Sequence, residues 1–127
     1  MTLISAFQDE RQFSKVFDFH SYAREVRINY GDCANLPTLV DDYFKDIAQV
    51  IADKMDYVQA RSCCMGGNIH YSYHHHGSLA FLVETATSFQ PPSDAMKEEV
   101  FSFPFSFFFS FFFFPRHFSI FSFLLAC

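Results

Sequence analysis

Two polar side chains in this 127-residue sequence each end a short apolar run, and both are of types that do chemistry. His20 follows the apolar residues of FDFHSY, and Glu84 closes SLAFLVE. Such a histidine is either a surface residue where a strand meets a loop or a metal ligand at the carboxyl edge of a sheet, where open α/β folds keep their sites. A carboxylate that ends a buried strand is costly unless it is paired or functional. Glu84 is therefore a candidate catalytic residue.

Two further groups of residues invite a chemical interpretation. His74, His75 and His76 are adjacent, and histidine clusters bind transition metals, although consecutive side chains diverge and only some could share one ion. The four cysteines contain no C-x-x-C pair and form no disulfide framework. We interpret them as reduced thiols of an intracellular, cytoplasmic protein, because residues 1–14 lack the long apolar core of a secretory signal.

The elements that would position His20 and Glu84 follow from the hydrophobic pattern. Residues 15–19 predict a short strand, and NYGDCANLP predicts an irregular loop. Asn35 is a plausible cap and Pro37 suits the first turn of a helix of about 20 residues. Its apolar positions recur at spacings of three and four: Leu39, Tyr43, Phe44, Ile47, Val50, Ile51 and Met55.

The second half of the chain continues the alternation of elements. MGGNIHYSYHHHG predicts a loop-rich region, because paired glycines permit backbone shapes that other residues resist. SLAFLVE is long enough for a strand and too short for a helix, and it predicts a fully buried parallel strand. A helix begins near Ser93, after two prolines. This order of elements predicts an α/β fold.

Composition divides the chain into residues 1–100 and a tail at 101–127. The whole chain has a formal net charge of −5, and its basic residues are scattered, which excludes a nucleic-acid surface. The tail contains 13 phenylalanines among 27 residues and one charged residue, Arg116. Phe, Ser, Pro and Leu can all be encoded by pyrimidine-only codons, so we interpret the tail as translation of a pyrimidine-rich tract. The alternative, an anchor that associates with a membrane, is disfavoured by its serines and prolines.

Three segments in order resemble the zinc carboxypeptidases of the carboxypeptidase A type, also called funnelins. HSYAREVRINYGD is similar to the family's HSY…YG segment, and GGNIHYSYHHHGSLAFLVET is similar to its segment from Gly-Gly to the catalytic glutamate. PPSDAMKEE is similar to the start of the family's last helix. The resemblance spans roughly 16–100 and implies a partial carboxypeptidase-like fold, with a mixed, mostly parallel sheet and packed helices.

The resemblance also implies roles for individual residues. His20 matches a zinc ligand, Glu84 the general base, and Ser21 and Tyr22 positions that line the substrate groove. Ile69 matches the floor of the pocket for the substrate's terminal side chain. The family's mobile tyrosine aligns with Ser62, and Tyr57 could serve only with a shifted loop. The implied cofactor is zinc, and the implied substrate is the carboxyl terminus of a peptide or protein.

Two parts of the family's site have no counterpart in the sequence. The other two zinc ligands of the family come from an H-x-x-E motif, and none of the six histidines here has a glutamate three residues later. The arginines and asparagine that bind the substrate's terminal carboxylate also belong to the family's earlier half. We therefore interpret residues 1–100 as the carboxyl-terminal part of such a catalytic domain and expect the chain alone to be inactive.

Overall fold

The computed structural model describes residues 3–29, 36–61, 67–102 and 119–123, and within them it shows an α/β arrangement. The elements in chain order are α1 (Leu3–Arg11), β1 (Lys15–Ser21), β2 (Glu25–Ile28), α2 (Thr38–Met55), β3 (Val58–Arg61), α3 (Asn68–His76), β4 (Leu79–Thr85), α4 (Ser93–Ser102) and β5 (Ser119–Phe123). The strands form one mixed sheet in the order β3-β2-β4-β1-β5.

The sheet is built around the parallel pair β1 and β4. Their register runs from Lys15 opposite Leu79 to Ser21 opposite Thr85. β5 pairs with β1 in the parallel sense, whereas β2 pairs antiparallel with β4 and parallel with β3. The prediction of a mixed, mostly parallel sheet with packed helices is thus confirmed at the level of the α/β class.

Alternation along the strands gives each face of the sheet its own core. One face is covered by α2, and its buried core combines strand and helix residues: Phe17, Val26, Ile28, Phe44, Ala48, Ile51, Ala52, Tyr57, Phe81 and Val83. The opposite face buries Val16 and Ala80 against Ile69 of α3 and Phe13. Asp18, His20 and Glu84 alternate with the α2-facing residues and so belong to this second face. We call the part of the second face that contains these three residues the polar face.

The predicted helix after Pro37 is α2, which begins at Thr38. The carbonyl oxygen of Pro37 accepts hydrogen bonds from the backbone N–H groups of Val40 and Asp41. The predicted cap, Asn35, lies outside the described residues. The predicted helix near Ser93 is α4, and the strand predicted at 15–19 extends two residues further, to Ser21.

The prediction of a loop-rich region from Met65 to Gly77 is wrong for residues 68–76, which form α3. The buried residues of α3 are Ile69, His70 and Ser72, so its pattern is only partly apolar and hydrophobicity alone does not reveal it. The helix ends at Gly77, whose φ of 66° is left-handed and whose N–H donates to Tyr73 O at 2.8 Å. This is the position at which helices commonly place glycine.

The interpretation of β4 and of the tail also needs correction. β4 is a central strand, but Leu82 and Glu84 are only half-buried, so it is not buried on both faces throughout. The tail was expected to be irregular, yet residues 101–102 complete α4 and residues 119–123 form β5. The physical reason for β5 is that it pairs with the outer edge of β1, which would otherwise be an open sheet edge. Among the described residues, none of the helices is long and apolar enough to cross a membrane.

Candidate functional site

His20 and Glu84 occupy the same rung of the parallel ladder between β1 and β4. Paired positions on neighbouring strands direct their side chains to the same face, so both side chains project from the same face of the sheet. The phenylalanines at 17 and 19 alternate with Asp18 and His20, and burial of Phe17 under α2 fixes which face the polar residues take. The rung lies near the carboxyl ends of both strands, the edge at which open α/β sheets bind ligands.

Asp18 lies beside His20 on this face. Its carboxylate Oδ1 is 3.4 Å from Nε2 of His20, and the side chains are 4% and 32% exposed, respectively. Burial raises the pKa of the Asp18 carboxyl, while the neighbouring His20 and Asn68 side chains lower it in part. Oδ1 of Asp18 has no hydrogen-bond partner among the described residues, so its contact with the imidazole is electrostatic.

Glu84 shares its surroundings with a second carboxylate and an arginine from β2. Glu25 is the register partner of Glu84 on β2, so the two carboxylates are directly opposite each other. Arg27 Nε lies 2.7 Å from Glu25 Oε2, and Arg27 Nη1 lies 3.9 Å from Glu84 Oε1. Like charges on facing positions repel, and the guanidinium between the two carboxylates offsets this repulsion.

One oxygen of Glu84 is left without a hydrogen bond. Oε2 is buried and has no partner among the residues that the structure describes, and the whole side chain is 12% exposed. A buried acceptor without a partner costs free energy. Such an oxygen, close to a partly exposed imidazole, is suited to accept a proton from water or substrate.

Ser21 and Tyr22 follow His20 where β1 ends. The Ser21 hydroxyl donates to the backbone carbonyl of Phe89 at 3.1 Å, which ties the segment after β4 to β1. Strand alternation places the Ser21 side chain on the face opposite His20. Tyr22 is 54% exposed, and the peptide bond between Ser21 and Tyr22 is cis. The predicted roles of both residues in binding substrate stay predictions.

Ile69 and Tyr57 lie away from the His20–Glu84 rung. Ile69 is buried with Val16 and Ala80 on the same side of the sheet as His20, but those residues precede the rung by four positions, about 13 Å along a strand. Tyr57 is buried in the core under α2, and its hydroxyl donates to Glu99 Oε1 at 2.6 Å. Burial and the Glu99 carboxylate raise the pKa of Tyr57. The structure therefore does not bring Tyr57 to the polar face.

The histidine cluster lies at the end of α3. His76 Nε2 is 3.1 Å from Asp9 Oδ1, while the His75 ring packs on Tyr71 with centroids 4.4 Å apart. Tyr71 also donates its hydroxyl to Asp9 Oδ1 at 2.5 Å. These contacts attach α1 to α3. No group of three histidine, cysteine or acidic side chains suited to a metal ion occurs within residues 3–29, 36–61, 67–102 and 119–123.

The donor set fits zinc only in part. A catalytic zinc site needs three protein ligands and an open position for water. Histidine, the residue type at position 20, is a zinc ligand in such sites, and glutamate, the type at position 84, is a common general base. The described residues supply no complete ligand set, so they do not hold a catalytic zinc by themselves.

Comparisons of the chain with protein families, with curated proteins and with solved structures gave no match.

Three residues of the polar face had no role in the predictions from sequence: Asp18, Glu25 and Arg27. The D-x-H spacing of Asp18 and His20 places both on one face of a strand, which is a usable signal. The alternation in EVRI, with Val26 and Ile28 apolar between charged residues, likewise indicates a half-buried strand. β2 was missed because it is only four residues long.

Proposed function

We propose that the chain contributes the carboxyl-terminal part of a zinc metallocarboxypeptidase site, which hydrolyses the terminal peptide bond of a peptide or protein. The observation that carries this proposal is the pairing of His20 and Glu84 on one rung, at the carboxyl ends of two parallel strands. His20 is one zinc ligand and Glu84 is the general base. Two further ligands must come from polypeptide outside the described residues.

The residues of the polar face have separable tasks in this proposal. Asp18 holds the imidazole of His20 in one orientation, as carboxylates do for metal-binding histidines. When bound, zinc lowers the pKa of its water toward about 7 and polarises the scissile carbonyl. Glu84 takes a proton from the water whose oxygen attacks the carbonyl carbon, and returns it to the leaving nitrogen as the C–N bond breaks. Arg27 keeps the Glu84 carboxylate compensated between turnovers.

Substrate binding in this proposal uses residues on both sides of the rung. Tyr22, which is exposed, contacts the peptide from the segment after β1, and Ser21 fixes that segment through the Phe89 carbonyl. The pocket role that the resemblance implies for Ile69 stays a prediction, because the residues it packs against precede the rung by four positions. Tyr57 is not assigned a role, because its hydroxyl is bonded to Glu99.

The test is reconstitution of hydrolysis. The full chain is mixed with a separately expressed amino-terminal part of a carboxypeptidase A-type domain that contains the H-x-x-E motif, in the presence of zinc. Release of the terminal amino acid from an N-blocked peptide is then measured. We expect hydrolysis only in the mixture, with a loss of at least 100-fold in Glu84→Gln and in His20→Asn.

The matched control is Glu25→Gln, which removes a carboxylate from the facing position on β2. It should retain hydrolysis within about tenfold, because Glu25 is ion-paired with Arg27 and takes no part in the proposed proton transfer. Hydrolysis that survives both Glu84→Gln and His20→Asn would refute the assignment of these residues. Equal losses in Glu84→Gln and Glu25→Gln would show that the effect comes from the charge of the face rather than from a base.

A further inference from the structure

β1 has a neighbour on each side, and one of them comes from the phenylalanine-rich tail. β4 pairs along its full length, from Lys15 to Ser21. On the other side β5 pairs with residues 15–19, with Lys15 opposite Ser119 and Phe19 opposite Phe123. Both neighbours are parallel to β1. A tail segment of low sequence complexity thus pairs with residues 15–19 of the strand that contains His20.

Without β5, the outer side of β1 would be an open sheet edge. β1 is seven residues long and contains Val16, Phe17 and Phe19, whereas β3, at the other edge, has only four residues. Long, apolar edges with unpaired N–H and C=O groups accept strands from other chains, and proteins usually cover them. Covering this edge is the physical role that the position of β5 indicates.

We propose that Ser119–Phe123 is an internal cap on the outer edge of β1, which occupies the place that a parallel strand of another polypeptide would take. Parallel strands end at a common edge of the sheet. A strand in this place would deliver the residues that follow it to the neighbourhood of His20. β5 instead ends opposite Phe19 and consists of Ser, Ile and Phe, none of which is a zinc ligand.

The cap also affects the candidate site, and this part of the inference rests on the proposed function. If the two missing ligands arrive on a strand beside β1, β5 must leave before that strand can pair. The tail then acts as an autoinhibitory segment that keeps the site incomplete. The incoming strand cannot pair with β4 instead, because β4 is already paired on both sides, with β1 and with β2.

The test uses hydrogen exchange of the full chain, resolved residue by residue. In a parallel ladder, successive amides of β1 alternate between its two neighbours. In the wild-type chain both sets of amides in residues 16–19 should be protected. Phe121→Pro, which removes the central N–H of β5, should lower the protection of the outward-facing set by at least tenfold and leave the set that faces β4 unchanged.

The control is Phe113→Pro, the same substitution elsewhere in the tail, which should leave all β1 amides unchanged. Equal protection of the outward-facing amides in wild type and Phe121→Pro would overturn the proposal. Loss of protection throughout β4 in Phe121→Pro would also overturn it, because β5 would then be part of the global fold rather than a detachable cap. Neither readout involves zinc or hydrolysis, so failure here leaves the proposed function standing, and the reverse also holds.

A synthetic peptide of residues 117–125 provides the complementary measurement. Added to Phe121→Pro, it should restore protection to the outward-facing amides of β1, since the edge is open and the sequence is the one that covers it. Added to the wild-type chain it should have no effect on exchange. If the peptide does not restore protection in Phe121→Pro, the proposal that the cap binds by pairing with β1 is contradicted.

Discussion

The backbone pairing of His20 with Glu84 places an imidazole and a carboxylate, 64 positions apart in the sequence, on one rung and one face of the sheet. Around them the structure adds what the resemblance to carboxypeptidases did not: Asp18 behind the imidazole at 3.4 Å, and Arg27 between Glu25 and Glu84. The polar face is thus a connected arrangement in which each charged group has a partner of opposite charge or a titratable neighbour.

The buried oxygen of Glu84 leads to a prediction about stability. Glu84→Gln should leave the free energy of unfolding unchanged or raise it by up to about 1 kcal/mol, because it removes a buried charge whose Oε2 has no partner among the described residues. Glu25→Gln should lower it by about 1 kcal/mol, since Glu25 has the 2.7 Å ion pair with Arg27. Urea unfolding at pH 7 measures both. A loss of more than about 2 kcal/mol in Glu84→Gln would show that this carboxylate is structural.

The core that supports β4 predicts a large effect of truncating Phe81. This ring is fully buried, stacks on Phe17 and meets Phe44 at a tilt of 49°, with centroids 5.6 Å away in each case. Phe81→Ala should destabilise the fold by about 3–5 kcal/mol through lost burial and a residual cavity. Leu39→Ala, at a position 86% exposed on α2, should change stability by less than about 0.5 kcal/mol. Similar small effects at both positions would contradict the packing described.

The ion pairs of Asp41 lead to a prediction about how stability depends on pH. Its Oδ2 lies 2.8 Å from Arg61 Nη2 and 2.7 Å from Lys45 Nζ, and the Arg61 hydrogen bond, assisted by Lys45, lowers the pKa of Asp41 from 3.8 to about 2. A lowered folded-state pKa means that the stabilisation is complete above pH 3.8 and is lost as the pH falls toward about 2.

The corresponding measurement compares Asp41→Asn with the wild-type chain across that pH range. The difference in free energy of unfolding should be about 1 kcal/mol at pH 7, since solvent weakens a pair near the surface, and should vanish only below about pH 2. Asp42→Asn is the control, because Asp42 lies 3.7 Å from Lys45 and is 58% exposed. A difference that is independent of pH would rule out the ion pair as its cause.

The hydrogen bonds of Gln8 lead to a prediction about the attachment of α1 to α3. It is 1% exposed, its Nε2 donates to Asn68 Oδ1 at 3.0 Å, and its Oε1 accepts from the Ser72 hydroxyl at 3.2 Å. Gln8→Ala removes the donor to Asn68 Oδ1, while the Ser72 hydroxyl keeps its bond to the Asn68 carbonyl at 2.8 Å. The change should cost about 1–3 kcal/mol. Limited proteolysis should then cleave within α1 sooner than in the wild-type chain. Glu10→Ala, at an exposed position of the same helix, should not change the cleavage rate.

How far the sequence determined the fold differs between elements. α2 and β4 were predictable because their apolar residues repeat with the period of a helix or fill a short continuous run. α3 was not, because its buried residues include the polar His70 and Ser72. The Ser72 hydroxyl is accommodated by Gln8 of α1 and by the helix backbone. β5 could not be foreseen either, since pairing with the edge of β1 is a property of the assembled sheet and not of five tail residues.

The candidate site was predictable to a similar, partial degree. His20 and Glu84 could be located because each ends an apolar run. That they share a rung depends on the register of two distant strands, which no local pattern encodes. Arg27 and Glu25 required β2, a strand of four residues. The hydroxyl partners of Ser21 and Tyr57, Phe89 O and Glu99, could not be read from the sequence, and the roles of both residues stay predictions.

The most direct measurement of the central claim, that His20 and Glu84 face the same small space, is the Zn²⁺ affinity of Glu84→His. Two imidazoles on one rung of adjacent strands can chelate one ion, so this variant should bind Zn²⁺ at least tenfold more tightly than the wild-type chain. Asp46→His, an equivalent change at an exposed position of α2, should match the wild type. Equal affinities in all three chains would contradict the shared rung and, with it, the peptidase site.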